Sequence, residues 1–395
     1  MLEYQKVKSE KAILSHLGIF RRQISLWEAV ALILGGMIGA GILGIPYAVA
    51  KVGLGIGVLY ILTLGILMIG LNLMVGEIAV RTKEPLQMVG FAGKYLGRWG
   101  KIVMMILIYL ISFSVQTIYM IGEGETLSAL FGGQPIWWSI GFWLVISFIL
   151  ILGVNAIKRV EMFLLFGLLT VVFLVVFFSC PHLKFEHFVY YNFANILLPY
   201  GVILFALSGT GAIPEAHALL EKKKGNFKKA ILISGSIGIL IYIIFTIVVV
   251  GVTGGETTEI ATVGLGNTIG PIVLIFGNLF AAIAMAGCSL INMLSLRDSL
   301  SWDIKLSRSK AILLVCFVPL VIYLLGMRSF IKTIDLVGGV FCSLQVFLTL
   351  LIYWRAKSHG DLPAGKYHLH HTVLLAVLLI LALTIGAGYS LMKVF

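Results

Sequence analysis

Charge is what this sequence has least of. Only 12% of its 395 residues are Asp, Glu, Lys or Arg, against 60% hydrophobic ones and a mean hydropathy of +1.06. A soluble chain carries about 25% charged residues, so there is too little polar surface here to coat two or three soluble domains. Soluble-enzyme, disordered and collagenous classes are excluded. Cysteine is scarce as well: Cys180, Cys288, Cys316 and Cys342 are scattered without CxxC or metal-ligand spacing, so neither a disulfide framework nor a zinc site is implied. No GxxxxGK[ST] loop is present, which disfavours a nucleotide-driven pump. At midplane depth the spans hold neither paired aspartates nor a histidine with a carboxylate, the convergent groups a membrane-embedded enzyme requires. The polar, basic stretch 1–25 lacks a short apolar core with a cleavage site, so the amino terminus is expected to stay in the mature chain.

What the sequence has in abundance is long apolar runs. A helix needs about 20 apolar residues to cross the hydrocarbon core. Eleven runs qualify: 26–50, 54–75, 102–127, 136–154, 160–180, 193–220, 230–252, 271–296, 311–325, 333–354 and 372–392. Their continuity, without the ten-residue alternation of outer-membrane strands, predicts an all-α polytopic membrane protein. The ninth run is the shortest and contains Pro319.

Lysine and arginine fall almost entirely on one side of this layout. Alternate connections starting with the amino terminus hold 24 of the 29 cationic residues, leaving only Lys51, Lys184, Arg328, Lys332 and Lys393 for the other side. By the positive-inside rule the amino terminus lies in the cytoplasm and, after eleven crossings, the carboxyl terminus outside. The net charge of +12 therefore reads as membrane orientation and contact with lipid headgroups, not nucleic-acid binding. Trp27, Trp99, Trp302 and Trp354 near inner span ends, with Trp137 and Trp138 near an outer one, read as interfacial anchors.

Two spans contain helix-interrupting clusters. The first runs Gly35-Gly36-Met37-Ile38-Gly39-Ala40-Gly41-Ile42-Leu43-Gly44-Ile45-Pro46, and the sixth Phe205-Ala206-Leu207-Ser208-Gly209-Thr210-Gly211-Ala212-Ile213-Pro214-Glu215. Left-handed glycine and proline both break helices, and in lipid a broken backbone survives only where protein or a water-filled cavity satisfies it. Close helix packing is the competing explanation, since Gly35 and Gly39 have small-xxx-small spacing. Two clusters five spans apart, hence inverted in the membrane, favour an inverted-repeat transporter with its site at the midplane. Free N–H groups at one half-helix end and free C=O groups at the other can meet a zwitterion without any charged side chain.

These residues resemble the amino acid/polyamine/organocation superfamily with the LeuT-type fold, and within it the amino acid/auxin permease and aromatic amino acid permease branch. Gly36-Met37-Ile38-Gly39-Ala40-Gly41-Ile42-Leu43 is similar to the glycine-rich start of that branch. The stretch Phe205 to Glu215 resembles its sixth helix, and Cys288-Ser289-Leu290 followed by Asp298 stands where the branch tends to have Thr-Ser-Phe and an aspartate. The resemblance implies two inverted five-helix repeats, 26–180 and 193–354, plus an eleventh helix at 372–392. It implies that the amides of Gly39, Ala40 and Gly41 hold a substrate carboxylate and the carbonyls of Phe205, Ala206 and Ser208 its ammonium group. Phe205 would also close an aromatic lid, and Tyr119 would reach the carboxylate, an interfacial or core position being the other reading of that tyrosine. A sodium site in this fold would use the carbonyls of Gly35 and Ile38 with Ser289, but Cys288 replaces the usual threonine, and thiol is a poor ligand for a hard cation.

Ionisable residues inside spans are costly and point to function. Glu215, directly after the proline of the broken sixth span, is the leading proton carrier. Glu77, Glu123, Glu125, Glu161 and Asp335 stand near predicted span ends, where a solvated or lysine-paired acid is the simpler reading. His182, His187, His368, His370 and His371 fall in loops. The fifth span lacks the mid-span lysine that some proton-coupled relatives use. The expectation is a plasma-membrane symporter importing neutral amino acids, bulky or aromatic ones included, by alternating access. It needs no cofactor, is driven by H+ or Na+ with protons favoured, and has its amino acid substrate and membrane lipids, but no nucleic acid, as partners. An exchanger or uniporter of the same fold is the alternative.

Overall fold

The computed structural model describes residues 24–152, 170, 172–220, 226–303, 305–363, 365–370 and 372–394. The first 23 residues, the greater part of the fifth expected span with Lys158, Arg159 and Glu161, the lysines at 222–224, and His371 lie outside the described residues. So does the side chain of Trp302. Among the described residues every regular element is helical, the one β-bridge being an isolated pair between Ile24 and Leu220.

Helix α1 (Leu26–Met37) starts at a capping box: Ser25 Oγ accepts the Glu28 amide at 3.3 Å, and Glu28 Oε2 accepts the Ser25 amide at 2.8 Å. After a short break α2 (Gly41–Val52) continues at a bend of 58°, so the two halves form one bent span. Gly53, at φ 102°, turns the chain into α3 (Leu54–Arg81). Helix α4 (Met88–Phe131) contains a kink at Gly97, and α5 (Pro135–Leu152) follows. The described end of the fifth expected span is the short apolar helix α6 (Val172–His182). The second broken span comprises α7 (Pro199–Leu207) and α8 (Ala212–Leu219), and leads into α9 (Asn226–Thr253). A short α10 (Ala261–Ile269) precedes α11 (Pro271–Asp303) and α12 (Arg308–Leu324). The tenth expected span is composite: α13 (Phe330–Leu336), a π-helical stretch Val337–Cys342 and α14 (Ser343–His359). Helix α15 (Thr372–Val394) ends the described chain.

Among the described residues eight helices are long and apolar enough to cross a membrane, and the bent pair α1 and α2 makes a ninth. Helix α12, with 17 residues, is the ninth expected run. Lipid-facing stripes follow helical periodicity, as at Leu59, Leu62 and Ile66 on α3, or Leu374, Val377, Leu378, Leu381 and Ile385 on α15. Trp27, Trp137 and Trp354 near helix ends and Trp99 beside the Gly97 kink are exposed, as interfacial anchors require.

Two helix groups face each other across the interior. Helix α9 packs on α1, α2 and α3, whereas α4 packs on α5, α11, α12 and α14. The two broken spans cross in the first group, and their register is legible in the glycines. A Cβ on Gly36 would come 2.8 Å from Ala212 Cβ, one on Gly209 3.0 Å from Met37 Cβ, and one on Gly41 2.7 Å from Ala206 Cβ. Numbers rise on one span as they fall on the other, so the broken helices run antiparallel. The second broken span is thus inverted relative to the first, as the odd offset in sequence required.

Candidate substrate-binding site

The mechanism of the breaks differs from the one expected. Neither cluster contains a glycine at positive φ. Instead Ile38 takes an extended conformation (φ −86°, ψ 108°) and Ser208 leaves the helix at φ −79°, ψ 83°. Nor does proline make the breaks: Pro46 lies inside α2 and Pro214 in the first turn of α8, where a missing N–H leaves no bond unmade. Gly36, Gly41 and Gly209 serve close approach of the two spans, which no Cβ would permit at Gly41.

The break nevertheless leaves the polar groups the site needs. Helix α2 starts without a side-chain cap, and the amides of Gly39, Ala40 and Gly41 donate to no backbone carbonyl among the described residues. Such uncapped N–H groups, at the positive end of a helix, suit a carboxylate. Gly39 and Ala40 also line a small, partly open cleft with a free volume of about 30 Å³. The remaining walls are Ile42 and Leu43 of α2, Val172 and Val175 of α6, Phe245 of α9, Thr262 of α10, and Ala281, Ala284, Met285 and Cys288 of α11. Apart from Thr262 and Cys288, those side chains are apolar.

Of the expected site residues, Tyr119 is brought to the cleft: a Cβ on Gly39 would stand 3.5 Å from its hydroxyl, which also meets the Cys288 thiol. Gly41 faces away from open space, against Ala206 and Phe205. Phe205 accepts the Ser208 amide at 3.1 Å on its carbonyl, and its Cβ lies beside Gly338 of the π stretch. The Ser208 hydroxyl donates back to Leu204 O at 2.7 Å. The Ala206 carbonyl accepts the Tyr242 hydroxyl at 2.8 Å, and the same hydroxyl lies 2.9 Å from Met37 O. Tyr242, on α9 and fully buried, thereby ties the inner ends of both broken spans; sequence reading missed it because a tyrosine in an apolar run carries no pattern.

The expected cation-coupling residues stand on three elements. Gly35 lies within α1, one turn before the break, and Ile38 is the extended residue itself. Ser289 on α11 is buried and accepts the Gln116 amide of α4 at 2.6 Å. Glu215 is half-buried in the first turn of α8, where a carboxylate complements the helix dipole. Glu77 is neither solvated nor lysine-paired: it is fully buried, bound by Arg81 at 2.7 Å, by the Tyr353 hydroxyl at 2.9 Å and by the Leu369 amide at 3.2 Å. Glu123 is likewise buried, 2% exposed. Glu77 lies just past an apolar run that ends at 75 and Glu123 just inside one that ends at 127, and packing buries α3 through Ala79 and α4 through Thr126. Asp298 pairs with its neighbour Arg297 at 2.6 Å. His368 and His370 lie with ring centroids 4.7 Å apart, and the described residues hold no group of three metal-ligating side chains.

The model of the tryptophan/tyrosine permease family matches residues 22–389. The chain belongs to that family. It is a family of permeases, not of enzymes, and this permease is a multi-pass integral protein of the cell membrane. It is 24% identical over 387 residues to "Tyrosine-specific transport system 1" of Haemophilus influenzae, covering 91% of this chain and 96% of that one. It is 24% identical over 384 residues to "Glutamine transporter 2" of Aliivibrio fischeri, covering 89% of this chain and 97% of that one. Its fold is similar to the crystal structure of MhsT in complex with L-phenylalanine, with a TM-score of 0.67 at 16% identity, covering 95% of this chain and all of that one. The permease therefore has the LeuT-type fold.

Proposed function

We propose that this permease imports neutral amino acids with bulky, apolar or aromatic side chains in symport with protons. In this reading alternating access runs through eleven spans, with the amino terminus in the cytoplasm and the carboxyl terminus outside. The observation that carries it is the cleft at the first break. Gly39 and Ala40, whose amides donate to no backbone carbonyl among the described residues, line a space walled by Val172, Val175, Phe245 and Met285. Amides in that position suit the carboxylate every amino acid has, and the apolar walls select the side chain, because an unpaired polar group buried there would lose its hydrogen bonds. Family membership and a relative named as a tyrosine transporter support the aromatic preference; the relative named for glutamine supplies the competing substrate.

Protons are preferred over sodium because the two eighth-span groups at the sodium position have partners on α4. Ser289 holds Gln116, and Cys288 meets Tyr119. A sodium ion would require their oxygen-donor capacity beside the carbonyls of Gly35 and Ile38, with a thiol in place of one hydroxyl. The Lys and Arg distribution supports the orientation.

Uptake of labelled L-tyrosine, L-tryptophan, L-phenylalanine and L-glutamine into proteoliposomes, with sodium and proton gradients imposed separately, tests this reading. Concentrative uptake of the aromatic amino acids under an inside-alkaline gradient is expected. Glutamine uptake exceeding tyrosine uptake refutes the side-chain preference, and exchange without accumulation under either gradient identifies an exchanger or uniporter.

A further inference from the structure

Glu123 has no role in the site so far described, yet among the described residues it is a buried acid with an unpartnered carboxyl oxygen. It lies four residues beyond Tyr119 on α4, so the two side chains share one helix face. Tyr119 faces Gly39 of the cleft, and Gly122 presses on Met285, a cleft wall, whose neighbour Ala286 offers the backbone amide nearest the Glu123 carboxyl. Among the described residues no donor reaches Glu123 Oε1. The salt bridges there, Glu77 with Arg81, Lys94 with Asp361 and Arg297 with Asp298, supply it no cation.

The elements around α4 offer no other compensation. Helix α5 contains no titratable residue. On α11 Cys288 is engaged with Tyr119. On α12 Cys316 is engaged with Ser147, and Tyr323 lies under Arg328. Asp335 of α13 binds Ser390, Cys342 of the π stretch faces Ser208, and Tyr353 of α14 serves Glu77. Arg308 and Lys310 on α12, Lys332 on α13, and Arg355, Lys357 and His359 on α14 make no ion pair with Glu123. An isolated carboxylate in such surroundings costs far more than a neutral acid. A carboxyl here is stable only with a proton on it.

We propose that Glu123 is the binding site of the co-transported proton, loaded in the conformation seen here and emptied when the cleft opens to the other side. The proposal rests on the proton-symport reading and replaces Glu215 as its carrier. The proton arrives from the outer medium, where the proposed orientation places the end of α4. There Glu125 is exposed and close enough to Glu259 for the two carboxylates to repel. Toward that end of α4 the buried hydroxyls of Thr126, three residues beyond Glu123, and Ser139, pressed on Gly124, have no partner among the described residues. Protonation neutralises the carboxyl one turn from the tyrosine at the substrate cleft. Substrate and proton therefore share the packing of α4 on α11, and each can favour the same closed arrangement.

The test uses L-tyrosine uptake in proteoliposomes with the interior about one pH unit more alkaline, a gradient able to drive about tenfold accumulation at one proton per substrate. Glu123→Gln should lower that accumulation ratio to about one while exchange of labelled for unlabelled tyrosine continues at a reduced rate. Glu123→Asp should keep the response to the gradient. Accumulation by Glu123→Gln equal to that of the unaltered protein overturns the proposal and leaves the symport reading standing. Sodium-driven, proton-insensitive accumulation by the unaltered protein overturns the symport reading itself. Should Glu123→Gln fail to insert, the unaltered protein decides. A hydrophobic carbodiimide, which reacts with protonated carboxyls in apolar surroundings, should modify Glu123 and abolish accumulation, and a Glu123 left unmodified at neutral pH overturns the proposal.

Discussion

Two glycines two residues apart have opposite tasks. A Cβ on Gly39 would make ordinary contact with Tyr119 at 3.5 Å, whereas one on Gly41 would meet Ala206 Cβ at 2.7 Å. Gly39→Ala should therefore fold and weaken substrate binding by narrowing the cleft. Gly41→Ala should force α2 from α7 and destabilise the protein by about 1–3 kcal/mol, the range for overpacking. Thermal unfolding in detergent together with tyrosine binding separates the two; equal loss of stability at both positions would reduce Gly39 to helix packing. Both glycines were visible in the sequence. Which of them faces a space and which faces a backbone depends on the rotation of α1 and α2 against α7, a quantity no local pattern encodes.

At the scale of elements, two polar links hold the moving parts. Tyr242 of α9 serves the carbonyls of Met37 and Ala206 at once. In Tyr242→Phe both buried carbonyls lose their donor, at a cost of about 1–3 kcal/mol. The variant should show a lower melting temperature and altered tyrosine affinity; a variant matching the parent in both would mean the hydroxyl bridges nothing of consequence. The second link joins α3 to α14 and the chain before α15 through Glu77. Its carboxylate is fully buried, and Glu77→Ala would strand Arg81, at about 3–5 kcal/mol for a broken buried pair. Calorimetry of the variant beside Arg81→Ala should show losses far from additive, since each removes the same interaction.

A neighbouring link is pH-sensitive. Asp361 binds the Lys94 ammonium and accepts the Lys83 amide at 3.0 Å, and these hold its carboxyl below the usual carboxylate range. Its contribution is complete above that range and is lost as pH falls through the lowered value. Protection of the Lys83 amide, measured as its exchange rate relative to that of an unstructured amide at the same pH, should therefore fall at acidic pH, and Asp361→Asn should remove that dependence.

For the whole molecule, orientation follows from the cation distribution and not from packing. With Cys180, which is exposed, replaced by serine, single cysteines placed near Lys8 and after Lys393 should label from the cytoplasmic and the external side respectively. Labelling of both from one side would mean an even number of crossings.

Composition and apolar periodicity determined by themselves that this is a polytopic helical membrane protein, because in lipid the backbone must satisfy its own hydrogen bonds and only long apolar helices do so here. Spacing of the glycine clusters determined that two spans are broken and inverted. Only the tertiary structure decided how they break, through extended Ile38 and Ser208, because backbone dihedrals answer to the crossing of the spans more than to the residues at the break. It alone showed Glu77 and Glu123 to be buried. An apolar run ends where hydropathy falls, but burial ends where the neighbouring helices cease to cover a residue, and α3 stays covered through Ala79, past the end of its apolar run at 75. Tyr242 and Gln116 likewise gained partners only through packing, since each meets a residue more than 30 positions away, Ala206 and Ser289 respectively, that no sequence window contains.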